Sequence, residues 1–270
     1  MKRLAVAVVF ALVALPGSSS AVEIKNIRPC YAPFGATRFD TKCLPGDVLF
    51  ITYDIEGLVV KDDKVSYVTI LELLDSSGKS IFKKETENDV VPQLGGTRMP
   101  GDLHVIMGPK QAPGRYSIKL TVHDRQEKNP NLSAKAFKYD FDVVPETFGF
   151  VGVSAPAVGF PGQHYVTGFA LVNLTLNANK QPNAEISIRI LDSKGAEVSK
   201  VKMLLPRDMP ENTDLEKANF VPLSYPVFLN RVGRYTIEVQ AHDKNGNKKA
   251  ELRYPLTVVD INDVKTISSK

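Results

Sequence analysis

PGRYSIKLTVHD at residues 113–124 and VGRYTIEVQAHD at residues 232–243 are two versions of one sequence, 119 positions apart. Two shorter matches lie upstream of them at nearly the same spacing: Pro45-Gly46 with Pro161-Gly162, and Leu74-Asp75 with Leu191-Asp192. A nearly constant offset over three blocks predicts two copies of one structural unit, with small insertions between the blocks.

The repeated stretch alternates apolar and polar residues. The apolar set is Tyr116, Ile118, Leu120 and Val122 in the first copy, and Tyr235, Ile237, Val239 and Ala241 in the second. Because strand side chains point alternately to two faces, these residues should face a core and the polar residues between them solvent. Elsewhere, short runs rich in Val, Ile, Tyr, Phe and Thr alternate with Gly, Pro, Asn and Asp clusters, which is typical of all-β sandwiches.

The chain is expected to begin with a secretory signal peptide at residues 1–21. Lys2 and Arg3 precede a short apolar run, and small residues ending in Ala21 suit a cleavage site. The remainder is long enough for two units, which we place at residues 22–146 and 147–260. Residues 261–270 are then a C-terminal tail. The interpretation as a signal peptide predicts an exported protein, periplasmic or extracellular.

The repeated Gly-Arg-Tyr at Gly114 and Gly233 opens a strand that leads to a turn beginning with Asp. This pattern resembles the tyrosine corner of immunoglobulin-like and fibronectin type III-like domains. The mature chain as a whole resembles the tandem immunoglobulin-like modules of secreted bacterial proteins. The resemblance implies an all-β fold with two tandem immunoglobulin-like antiparallel β-sandwiches after the signal peptide. The chain departs from the antibody type, since it has no Trp and no Cys pair placed to bridge two sheets.

Charge and hydropathy argue against two classes of partner. The formal net charge is +4, from 34 basic and 30 acidic residues, and no run of Lys or Arg forms a nucleic-acid footprint. The apolar run at residues 4–15 is too short to cross about 30 Å of hydrocarbon as a helix. We therefore expect neither nucleic-acid binding nor a membrane span.

Cys30 and Cys43 are the two cysteines of the chain. In an exported protein, two cysteines this close most simply form a disulfide. In the chain-entropy model, closing such a ring contributes on the order of 3 kcal/mol. The spacing does not match a zinc site, and no histidine is near in sequence.

His123-Asp124 and His242-Asp243 are the repeated pair with catalytic or metal-binding potential. Both end the same strand, so the simplest interpretation is structural, with His outward and Asp bonding the backbone of a turn. No nucleophile elbow, Walker loop, His-Glu-x-x-His or dinucleotide fingerprint occurs. The sequence therefore predicts no enzyme, no cofactor, no metal site and no catalytic residue.

Two features that differ between the copies are candidate partner-binding surfaces. The segment CYAPFGATRFDTKC at residues 30–43 has no counterpart before Pro161. It contains hot-spot residue types in a loop, namely Tyr31, Phe34, Arg38 and Phe39. Alternatively, these rings plug the end of the first unit or pack against the second. In an alignment of the copies, Val68 and Ile70 stand opposite Glu185 and Ser187. If Leu71 points inward, this apolar pair points outward, towards a partner, the other unit or a covering connection.

Together these features predict an exported, non-enzymatic binding or cell-envelope structural protein that acts through β-sandwich surfaces, with a protein or envelope component as partner. A carbohydrate-active or hydrolase accessory module is one alternative, although sugar platforms typically use exposed Trp or Tyr rings and the chain has no Trp. A cation-dependent adhesin is another, with Asp62-Asp63 as a candidate for contributing to a cation site.

Overall fold

The structure is a computed structural model that describes residues 21–209 and 220–260. The signal peptide predicted for residues 1–21 therefore lies almost entirely outside the described residues, and the tail at 261–270 lies wholly outside them. The described regular structure is all β, which confirms this part of the predicted fold class. None of it is a helix long and apolar enough to cross a membrane.

The described chain forms sixteen strands in two sets of eight, which we call the first half and the second half. The first half has β1 Glu23–Cys30, β2 Lys42–Cys43, β3 Val48–Glu56, β4 Val65–Leu74, β5 Ser80–Val90, β6 Met99–Ile106, β7 Gly114–Asp124 and β8 Ala134–Val143. The second half has β9 Gly149–Ser154, β10 Val158–Gly159, β11 His164–Val172, β12 Ala184–Leu191, β13 Glu197–Leu205, β14 Phe220–Phe228, β15 Gly233–Asp243 and β16 Lys248–Val258.

The two halves have the same sheet topology. The first half contains a three-stranded sheet of order β1-β3-β6 and a five-stranded sheet of order β2-β8-β7-β4-β5. The second contains β9-β11-β14 and β10-β16-β15-β12-β13. Neighbouring strands are antiparallel, except that short β2 and β10 run parallel to β8 and β16. The sequence repeat is therefore a structural repeat, with the repeated stretches forming β7 and β15.

Each half has its own hydrophobic cluster, to which both of its sheets contribute. The predicted inward sets of β7 and β15 belong to these clusters, Tyr235 being only partly buried. The prediction that the polar residues face solvent is wrong at Ser117, which is 7% exposed and donates to Asp140 Oδ1, and at Glu238, which is 6% exposed. Arg189 on β12 and Arg253 on β16 flank it and form ion pairs with its carboxylate. The two guanidinium groups compensate the negative charge of Glu238, which the arginine side chains cover.

The same hydrogen bond occurs in both halves, at the tyrosines near the start of β7 and β15. The Tyr116 hydroxyl donates to the backbone oxygen of Ala112 at 2.9 Å, and that of Tyr235 to the backbone oxygen of Arg231 at 3.1 Å. In both halves a tyrosine thus ties the start of a central strand to the connection four residues before it.

The aspartates of the His-Asp pairs are buried at the far ends of β7 and β15. One carboxylate oxygen of Asp124 accepts the Val59 N–H at 2.7 Å, and one of Asp243 accepts the Thr175 N–H at 3.0 Å. Each carboxylate thereby fixes the connection that follows β3 or β11. The interpretation of these aspartates as structural residues agrees with this geometry.

Candidate functional site

The 30–43 segment leaves the first half and enters the core of the second. Tyr31 is 4% exposed and Ala36 is fully buried, and both belong to the hydrophobic cluster of the second half. The Tyr31 ring meets the Tyr254 ring of β16 edge-on, with centroids 6.1 Å apart. Part of the first half therefore completes the core of the second.

Backbone contacts hold the tip of this segment against the second half. The Ala36 N–H donates to the Ala155 oxygen at 2.7 Å, and the Tyr31 N–H donates to the Ala36 oxygen at 3.0 Å. A Cβ at Gly35 would lie 2.7 Å from the Ala155 oxygen and 2.8 Å from the Ala32 Cβ. Glycine is needed here because the two backbones approach too closely for a side chain.

Arg38 is buried at the base of the segment, with each guanidinium nitrogen donating a hydrogen bond. Nη1 lies 2.8 Å from Asp47 Oδ2, Nε lies 3.2 Å from Asp40 Oδ1, and Nη2 donates to the Lys42 oxygen. The guanidinium also lies over the Tyr31 ring, 5.3 Å from its centroid. Arg38 is thus a buried support for Tyr31, with little surface left for a partner.

Asp47, which is 2% exposed, links Arg38 to the second half. Its Oδ1 accepts the Val48 N–H at 2.8 Å and the Gly152 N–H of β9 at 3.2 Å. Leu44 adds an apolar contact nearby, since it packs against Val151 and the outward side of β11. The halves are therefore joined by an apolar plug, by the backbone hydrogen bond from Ala36 to Ala155, and by the hydrogen bond from the Gly152 N–H to Asp47.

Phe34 and Phe39 remain at the surface of the same segment. Phe34 is 47% exposed and Phe39 is 65% exposed. Phe34 also has φ +53°, a left-handed conformation that is rare for a bulky residue and costs on the order of 1–3 kcal/mol. The fixed backbone around Gly35 and Ala36 holds this strained conformation. Four residues of this segment were predicted to bind a partner. Tyr31 and Arg38 are buried supports, and Phe34 and Phe39 are exposed aromatic residues.

The disulfide predicted between Cys30 and Cys43 is absent: both are buried free thiols. Cys30 ends β1, where its Sγ lies 3.1 Å from Arg28 Nη1 and 3.4 Å from Thr52 Oγ1. Cys43 lies on β2, in the other sheet, and packs in the hydrophobic cluster of the first half. The segment is instead fixed by Tyr31, Arg38 and their contacts.

We expect neither thiol to react quickly in the folded protein. Burial raises the pKa of Cys43 to about 12, so only about one molecule in ten thousand has a Cys43 thiolate at pH 8. A thiol-reactive dye, added at pH 8 without reductant, should label no cysteine in buffer and two in guanidinium chloride. No labelling in guanidinium would mean that the thiols are oxidised, and rapid labelling in buffer would contradict their burial.

Val68 and Ile70 lie partly exposed on β4, on the face opposite Tyr67, Leu71 and Leu73, which pack in the core. Strand pairing adds two residues to this outward face, because Ala134 and Ala136 of β8 stand opposite His123 and Thr121. The corresponding face of the second half is charged or polar at all four positions: Glu185, Ser187, Lys249 and Glu251. The alignment found only the β4 pair, because β8 and β16 have little sequence in common.

The histidines are not brought together. His104 packs against Phe50 in the first half, and His164 against Phe228 in the second. His123 and His242 lie on the outward faces of β7 and β15. In the described residues, no group of three or more His, Cys, Asp or Glu side chains could hold a metal ion. Asp62 and Asp63 are the two central residues of a tight turn closed by Lys61 and Lys64.

Comparisons with known proteins supply no family for this chain. No protein-family model matches it, and no curated protein matches it. Among solved structures it is similar to part of the Pseudomonas fluorescens alkylpurine DNA glycosylase AlkC bound to DNA containing an abasic site analogue. The sequence identity is 12% and the TM-score 0.30, over 48% of this chain and 32% of that chain. The matched region is about a third of that structure, and so weak a likeness carries no argument about function.

Proposed function

We propose that the protein is an exported, non-enzymatic binding protein of the cell envelope, built from two immunoglobulin-like β-sandwiches in tandem. The paired sheets of three and five strands and the tyrosine hydroxyl bonds at Tyr116 and Tyr235 support the immunoglobulin-like assignment. The scattered histidines favour binding over hydrolysis, because a hydrolytic site needs a base beside a nucleophile or a metal.

The observation that carries the proposal is the display of Phe34 and Phe39 beside the joint. Their neighbours Tyr31 and Arg38 anchor the segment, so the exposed rings are already held in place before a partner arrives. Pre-ordering reduces the entropy lost on association. Aromatic rings add large apolar contact areas, which suits them to the centre of an interface. The strain at Phe34 favours a functional reason for its exposure.

The partner is a protein or envelope component with an apolar pocket for one or both rings. The outward β4 and β8 residues Val68, Ile70, Ala134 and Ala136 form a further weakly polar surface on the same half. We assign them a secondary role, since they are only small or partly exposed side chains.

The test is capture from a detergent extract of the producing organism's envelope, using the immobilised mature chain and the double variant Phe34→Ser/Phe39→Ser. We expect the double variant to capture at most about a tenth as much partner as the unchanged chain. Loss of hot-spot residues that contribute more than about 1.4 kcal/mol lowers the affinity at least tenfold. Ile106→Ser is the matched control, because Ile106 is a 67% exposed apolar residue on β6. Equal capture by the double variant would refute this site.

A further inference from the structure

The second half contains a groove of about 600 Å³, at the open side of the sandwich between edge strands β13 and β14. Aliphatic residues from three strands contribute to its wall: Ile190, Val227, Leu256 and Val258. At its mouth, Val198 and Phe228 are 44% and 57% exposed. A pocket of this volume is in the range that holds small organic ligands.

Two of the residues that line the groove are smaller than their counterparts in the first half. Tyr235 pairs with Leu256 across β15 and β16, where the first half pairs Tyr116 with Phe141. Phe141 is 1% exposed, and its ring stacks on Tyr116 at 5.8 Å. The smaller Leu256 leaves the inner side of Tyr235 less covered, so Tyr235 is only partly buried and lines the groove.

The second of these residues lies on the edge strand of the same sheet. Ile190 pairs with Ser199 across β12 and β13, where the first half pairs Leu73 with Phe82. Ser199 lines the groove, and its side chain is much smaller than the phenylalanine at the corresponding position. Two rings of the first half are thus replaced at this groove by a leucine and a serine, whereas Tyr225 and Phe228 bring rings to the positions that Leu103 and Ile106 occupy in the first half.

The groove has one charged side chain among its lining residues in the described chain, that of Arg231. Its guanidinium lies over the Tyr235 ring, 5.9 Å from the centroid, and Nε donates to the Tyr235 hydroxyl at 3.1 Å. These contacts fix the cation beside the aliphatic wall. A fixed cation beside exposed apolar side chains favours a ligand with an apolar body and a single anionic group.

We propose that this groove binds a small amphiphilic carboxylate, with its hydrocarbon part against the exposed side chains of Val198 and Phe228 and its carboxylate at Arg231. This site is separate from the aromatic display at Phe34 and Phe39, and neither depends on the other. The double phenylalanine variant should therefore bind the carboxylate normally, and loss of either activity can be recognised independently.

The experiment is calorimetric titration of the mature chain with decanoate, and separately with decanol. We expect saturable binding of decanoate at one site per chain. Leu256→Phe, which places in the groove the ring that Phe141 supplies in the first half, should weaken decanoate binding at least tenfold. Ser199→Phe repeats the test from the opposite wall. It provides the second variant if Leu256→Phe unfolds, as judged by circular dichroism.

The charge is tested with Arg231→Gln, for which we expect decanoate binding to weaken about tenfold and decanol binding to change less than twofold. Arg234→Gln is the matched control, because Arg234 is exposed near the groove but does not line it. Absence of decanoate binding at 1 mM would overturn the proposal. So would full retention of binding by a folded Leu256→Phe or Ser199→Phe variant, or equal weakening by the two arginine variants.

Discussion

Asp47→Ala is expected to lower the free energy of unfolding by about 3–5 kcal/mol, the usual cost of removing one partner from a buried ion pair. Asp47 and Arg38 are 2% and 6% exposed, and their charged atoms are 2.8 Å apart. Without the carboxylate, the Arg38 guanidinium stays buried without its main counter-charge. The Gly152 N–H of β9 also loses its acceptor. Urea denaturation, followed by circular dichroism, measures the change.

Asp40→Ala is the matched control for this ion pair. Asp40 also binds Arg38, at 3.2 Å, but its side chain is 53% exposed. Because solvent screens an exposed partner, its removal should cost at most about 1 kcal/mol. Equal effects of Asp40→Ala and Asp47→Ala would contradict the burial and dominance of the Asp47 contact.

The all-β fold was predictable because period-two alternation is local information. Comparing the two copies of the repeated strand also indicated which faces of β7 and β15 are buried. The method failed at Ser117 and Glu238, where polar residues in outward positions are covered. The burial of Glu238 depends on Arg189 and Arg253, which come from two other strands, and the alternation of side chains along one strand contains no information about such neighbours.

The candidate site was predictable only as a segment. The lack of a counterpart in the second copy directed attention to residues 30–43, and their aromatic content suggested a binding loop. Sequence could not separate Tyr31 from Phe39, because their exposure depends on which ring reaches the core of the other half. The disulfide was inferred from compartment and spacing alone. The structure places Cys30 beside Arg28 and Thr52 at the end of β1, and Cys43 in the core on β2, with both thiols free.

The groove was missed for a related reason. Leu256 and Ser199 are unremarkable in sequence, and their correspondence to Phe141 and Phe82 appears only when strand pairings define equivalent positions. The repeat is therefore informative in two ways. Agreement between the copies identifies core and turn residues, while differences at equivalent positions identify where one copy has gained a surface or lost a side chain.

Tyr31→Ala is expected to destabilise the second half by about 3–5 kcal/mol, although Tyr31 belongs to the first half in sequence. The substitution removes a ring that is 4% exposed and packs on Tyr254, so it leaves a cavity in the second half's core. Tyr31→Phe should retain most of the stability, because it keeps the ring. Hydrogen exchange followed by mass spectrometry should show lost protection in β12, β15 and β16.

Phe39→Ala separates the two roles of the segment. Phe39 is 65% exposed, so its removal should change the free energy of unfolding by less than about 0.5 kcal/mol. If Tyr31 fills the core of the second half, Tyr31→Ala should lower the free energy of unfolding strongly, and Phe39→Ala should leave it almost unchanged. For partner capture the order should be reversed. Phe39→Ala should lower the amount of partner captured, whereas Tyr31→Phe should leave it nearly unchanged. If Tyr31→Ala lowered protection only in β1 to β8, Tyr31 would belong to the core of the first half, and the joint described here would be wrong.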